Sequence, residues 1–176
     1  YLRHLQAYLA GKSVPFEELR LPAEVAPPVD ALGLADHPTE SRLAWVGNKH
    51  KVPVEVAATG PRIIAIAAIH AERVMFALGA DPVRIRWGIG IARQAREAAG
   101  LEPDDIKFGA YVNCVCHPDP DHARELIKGQ LTTFARFSIM HGKPTGPTSD
   151  AMDRALRSLH AAYDMRSHTQ GDSAQA

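Results

Sequence analysis

The residue groupings best suited to chemistry lie in the middle of the chain. In Ala57-Ala58-Thr59-Gly60-Pro61-Arg62 an apolar run hands over, through small side chains, to a helical pattern that starts near Pro61. Helix N-termini present unpaired N–H groups and the positive end of the helix dipole, so a phosphate is the natural guest of Ala58, Thr59, Gly60 and Pro61. The same residues also make a plain turn in which Thr59 caps the helix and nothing is bound. Ala77-Leu78-Gly79-Ala80-Asp81-Pro82 repeats the logic: Gly79 and Ala80 permit close backbone approach, and Asp81 before Pro82 is a good cap and first turn. Gly88-Ile89-Gly90 falls inside a helical pattern and lacks the rest of a phosphate fingerprint, so it predicts close helix packing and no nucleotide contact.

Cys114-Val115-Cys116-His117 carries metal-ligand residue types. Strand alternation sends both cysteines to one face and His117 to the other, and no second Cys pair exists to complete a structural zinc site. The expectation is a metal-free pair of small apolar fillers in a buried strand, with a vicinal redox role as the alternative. Among the histidines, His141 in the loop after Phe137 and His168 in the terminal segment are best placed to reach a ligand, whereas His4, His37 and His50 have no supporting context. No Ser–His or Cys–His nucleophile pairing can be read from linear spacing.

These turns need elements to hold them. Val52–Ala58, Arg73–Leu78 and Ile106–Cys116 read as buried strands, and each is followed by a helical pattern. The first helix ends near His70; the second carries Ile85, Ile89, Ala92 and Ala95 towards Gly100; the third starts at Asp119 or Asp121 and runs to Phe134. Three successive β–α units with strands apolar on both faces predict adjacent parallel strands joined by right-handed crossovers. An open doubly wound sheet and a closed barrel both satisfy that pattern. Upstream, Tyr1–Ala10 is a short helix stopped by Gly11, and Pro15, Pro22, Pro27, Pro28 and Pro38 make the stretch from Val14 to Lys51 an irregular arm. Downstream come a polar loop from Met140 to Pro147, a helix from Asp150 to Tyr163, and a flexible tail over 166–176.

Composition narrows the function classes. Lys and Arg total 20 against 20 Asp and Glu, which argues against a nucleic-acid or lipid-surface binder that relies on bulk charge. With 45% hydrophobic residues a core can be built, and 176 residues predict one domain. Two cysteines one residue apart are no disulfide scaffold, so the chain reads as cytoplasmic. Arg73 interrupts the best apolar stretch after Ile63, so no membrane span is expected.

Several runs, in order, carry a resemblance. Val52-Pro53-Val54-Glu55-Val56-Ala57-Ala58-Thr59-Gly60-Pro61-Arg62, then His70 to Pro82, then Phe108-Gly109-Ala110-Tyr111-Val112-Asn113, resemble the second half of the bacterial luciferase-like flavin- and F420-dependent oxidoreductases. Thr133 to Phe137, Met140-His141-Gly142, Tyr163-Asp164-Met165 and His168-Thr169 are similar to a subgroup of F420-dependent reductases like methylenetetrahydromethanopterin reductase. The resemblance implies an α/β fold, part of a (β/α)8 TIM barrel. A full barrel takes about 250 residues, so the early strands and the last strand are expected to fall outside this chain. On that template Pro53–Thr59, Arg73–Gly79 and Lys107–Cys116 are three consecutive later strands, and 14–51 is an insertion arm within a single partial barrel domain over 1–176.

The implied activity is hydride transfer between coenzyme F420 and a small organic substrate. The cofactor phosphate would sit at Ala58, Thr59, Gly60 and Pro61, and more loosely at Gly79 and Ala80, with Asn113 and His141 as substrate contacts. No catalytic residue can be transferred. An FMN-dependent monooxygenase is the near alternative, and a non-catalytic fragment or interaction module is the alternative of another class. Association into homo-oligomers is expected, with no nucleic-acid or membrane partner and no metal.

Overall fold

Proline and its preceding residue decide where most of the helices begin. In the computed structural model, which describes residues 1–167 except 21, 23, 26–30, 32, 34–36 and 48, the chain divides into two units, Tyr1–Val54 and Glu55–Ala176. His168, Thr169 and the rest of the tail from 168 lie outside the described residues.

In the first unit, helix α1 (Leu2–Leu9) ends where Gly11 takes φ 70° and the Lys12 N–H returns to the Ala7 carbonyl at 2.9 Å. Strands β1 (Val14–Pro15) and β2 (Glu40–Ser41) pair antiparallel, and a 3-10 turn follows at Phe16–Leu19. Pro15 has no N–H to extend the ladder, and each strand is two residues long. The Tyr8 hydroxyl reaches the Ser41 hydroxyl at 2.6 Å, tying the helix to β2.

In the second unit, β3 (Glu55–Ala58), β4 (Arg73–Phe76) and β5 (Lys107–Ala110) lie side by side in that order, all parallel as expected. Among the described residues this sheet has three strands and does not close on itself. Helices α2 (Pro61–His70), α3 (Pro82–Ala98), α4 (Pro120–Phe137) and α5 (Asp150–Ala162) alternate with and follow the strands. Asp81 caps α3 by accepting from the Val83 N–H at 2.8 Å, Asp119 caps α4 through the Asp121 N–H at 2.9 Å, and Ser149 caps α5 through the Met152 N–H at 3.2 Å. None of these helices is long and apolar enough to cross a membrane.

All three strands are shorter than the apolar runs that announce them. Glu55 is opposite Arg73 and Ala58 opposite Phe76, so β3 can pair only over the four residues that β4 offers. Beyond Phe76 the chain leaves through Ala77 and Leu78 to Gly79, whose φ of 76° turns it away. Tyr111 takes the last bond, its N–H donating to the Phe76 carbonyl at 2.9 Å, and the residues after it have no ladder to join. The strand expected over Ile106–Cys116 therefore stops at Ala110, and Cys114 and Cys116 are exposed free thiols in a loop, not buried fillers.

The core joins α2, α3 and the sheet through Ile64, Ala67, Ala68, Val74, Phe76 and Ala92. Phe76 and Phe108 stack with ring centroids 5.7 Å apart. The buried row of α3 is Arg84, Gly88, Ala92 and Arg96, four residues at i, i+4 spacing, while Ile85 and Ile89 flank it half-buried. Gly88 serves packing, as its place predicts: a Cβ there would meet Phe76 and Leu78. Arg96 donates to the Ala68 carbonyl at 2.9 Å and the Glu102 carbonyl at 2.7 Å, which satisfies a last-turn carbonyl of α2 that has no helical partner.

Candidate functional site

Because β3 and β4 are parallel neighbours in register, their following turns leave the same end of the sheet. That end is where parallel α/β folds place ligands. The Ala77 N–H donates to the Ala58 carbonyl at 2.9 Å and the Thr59 hydroxyl donates to the Ala77 carbonyl at 3.5 Å, so the two turns are stitched together. Ala58 closes β3 and is buried, Thr59 and Gly60 are half-buried, and Pro61 is exposed as the first residue of α2.

The cap expected from Thr59 is not made. Its hydroxyl is turned towards Ala77, and Gly60 occupies the cap position with no side chain to accept from the helix. Pro61 has no N–H, the Ile64 N–H is taken by the Gly60 carbonyl at 3.0 Å, and the Arg62 and Ile63 N–H groups have no partner among the described residues. Of the α-helices α2 to α5 among the described residues, α2 alone begins without a side-chain cap. The space above it is open: a Cβ built on Gly60 would meet only the Thr145 methyl at 4.0 Å, and one on Gly79 nothing within 4 Å. A phosphate fits such a cradle, with free N–H donors, a positive dipole end and backbone that can be approached closely.

A cavity of about 430 Å³ opens beside the second turn. Leu78, Gly79 and Ala80 at the end of β4, Tyr111 and Asn113 after β5, and residues of α4 and α5 line it. Its polar floor is Arg84, a guanidinium 2% exposed whose Nη2 donates to the Ser138 hydroxyl at 2.9 Å. Burial pushes the Arg84 pKa below its ordinary value, and the nearby Asp81 carboxylate opposes that shift. Asn113 lies on the wall, its amide donating to the Gln130 carbonyl at 3.3 Å.

The cavity thus gathers Gly79, Ala80 and Asn113. It does not include the Thr59 turn or His141, which is exposed in the loop after α4. His168 lies outside the described residues. Reading by hydrophobicity misses Arg84 and Ser138. The signal available for Arg84 was the row Arg84, Gly88, Ala92, Arg96, whose two small central residues mark a face that approaches the sheet. Among the described residues no group of His, Cys, Asp or Glu is arranged to hold a metal ion.

A family model described as luciferase-like monooxygenase matches residues 17–176. No curated protein matches the chain.

Proposed function

Because the chain belongs to the luciferase-like monooxygenase family, a family of flavin- or F420-type oxidoreductases in general, we propose that it serves hydride transfer between coenzyme F420 and a small organic substrate. On this reading the three-stranded sheet is part of a (β/α)8 barrel, and the strand ends form part of its mouth. The observation that carries the reading is the uncapped N-terminus of α2 beside Gly79 at one end of a parallel sheet. Ala58, Thr59, Gly60 and Pro61, with Gly79 and Ala80, would hold the cofactor phosphate. When bound, the deazaflavin supplies a carbon that accepts or gives up hydride. This chain's residues would anchor one end of the cofactor through backbone donors, while the apolar walls formed by Leu78, Phe134 and Leu159 keep water from the substrate side.

The family's description as monooxygenases favours a second reading, in which reduced FMN replaces F420 and oxygen is the co-substrate. Titration with each cofactor separates the two, followed by absorbance and by oxygen consumption in the presence of reductant. Binding of F420 without oxygen uptake supports the first; binding of FMN with oxygen uptake supports the second. Binding of neither leaves a non-catalytic interaction module.

A further inference from the structure

Among the described residues Arg84 is the sole charged side chain lining the cavity, and its donors are poorly matched. Among the described residues Nη2 has the Ser138 hydroxyl, Nη1 has only the Met152 sulfur at 3.8 Å, and Nε is buried without any partner. Thioether sulfur is a weak acceptor, so two of the three nitrogens lack an oxygen. The Asp81 carboxylate does not supply one: it is engaged at the Val83 N–H and makes no ion pair with Arg84 among the described residues. A buried guanidinium with open donors is costly, and a planar carboxylate meets its fork with two parallel hydrogen bonds. The remaining wall is mostly apolar, with Leu131, Phe134, Leu156 and Leu159 among it and Tyr111, Asn113 and Thr132 as its uncharged polar members, and its volume of about 430 Å³ lies in the range of small-molecule sites.

We propose that this cavity takes an organic carboxylate, its single anionic head on Arg84 and Ser138 and its aliphatic or aromatic body along the leucines of α4 and α5. As a statement about substrate class the assignment rests on the oxidoreductase reading; the binding itself is tested without any cofactor. A cofactor phosphate tail is polar along its length and matches this wall poorly, which favours a separate carboxylate ligand.

The test is calorimetric titration of the chain with 2-naphthoate, the neutral 2-naphthamide and the cationic 2-naphthylmethylammonium, while the Arg84 Nε–H resonance is followed by NMR. Naphthoate should bind on the order of ten- to a hundredfold more tightly than the amide, from charge-assisted hydrogen bonds, and should move the Nε–H signal; the ammonium should not bind. Arg84→Met should reduce naphthoate to the affinity of the amide. Should that variant fail to fold, Leu131→Trp, at the half-exposed rim, should weaken naphthoate and amide together by filling the cavity. Equal affinity for naphthoate and amide, or naphthoate binding that leaves the Nε–H signal still, overturns the proposal. Displacement of naphthoate by inorganic phosphate at equal concentration also overturns it, by marking Arg84 as a phosphate seat. Failure of both cofactors to bind, with naphthoate bound as described, sinks the oxidoreductase reading and leaves the carboxylate site standing.

Discussion

Gly88 faces Phe76 so closely that a Cβ added to it would come within 2.8 Å of the ring edge and 3.1 Å of Leu78. Two residues on in the same helix, Gly90 has nothing within 4 Å of the equivalent position. Gly88→Ala should therefore destabilise the chain by about 1–2 kcal/mol, overpacking outweighing the gain in helix propensity. Gly90→Ala should stabilise it by about 0.5–1 kcal/mol through propensity alone. Urea denaturation of both variants reads the opposite signs; equal shifts would refute the packing of α3 on β4.

Arg96 and Arg93 offer a similar contrast. Arg93 makes an exposed ion pair with Asp104 at 2.7 Å, whereas Arg96 is buried on two backbone carbonyls. Arg93→Ala should cost no more than about 1 kcal/mol. Arg96→Leu strands the carbonyls of Ala68 and Glu102 and should cost about 2–4 kcal/mol. Thermal melts at matched pH check the ratio, and comparable losses would contradict the described geometry.

At Gly60 the backbone has φ −94° and ψ 155°, an extended conformation that any residue adopts. Gly60→Val should thus lower stability by at most about 1 kcal/mol. On the proposed function it should also weaken F420 or FMN binding on the order of ten- to a hundredfold, by covering the free donors of α2. Cofactor titrations beside melting curves separate the effects. Unchanged affinity in a folded variant removes the phosphate role of this turn.

Cys114 and Cys116 should both react with a thiol reagent in the native chain as readily as in denaturant, since both are exposed. Protection of either in native buffer would restore the buried-strand reading.

The β–α alternation was legible because its signals are local: Asp81 and Asp119 before their prolines, and apolar runs of strand length between helices. Strand length was not legible. Tyr111 to Cys116 is mostly apolar like a buried strand, yet whether it pairs depends on where the neighbouring chain turns at Gly79, which is information from elsewhere in the sequence. Gly79, Ala80 and Asn113 were named from the sequence and meet at the cavity. Arg84 is harder to read because hydrophobic periodicity assigns a charge to the outside, and the row of small residues Gly88 and Ala92 that turns its face inward carries weight only once the sheet it packs on is known.

The two arginines of that buried row stand about 18 Å apart along α3, at the usual helical rise. A helix resists stretching, so the bonds that clamp Arg96 to the end of α2 also fix the height at which Arg84 is presented. The guanidinium is thereby preorganised: its rotamer is held by Ser138 and its backbone by an anchor far from the cavity. A guest arriving there gives up its own freedom and little of the protein's, which shifts affinity differences between guests towards their rates of escape.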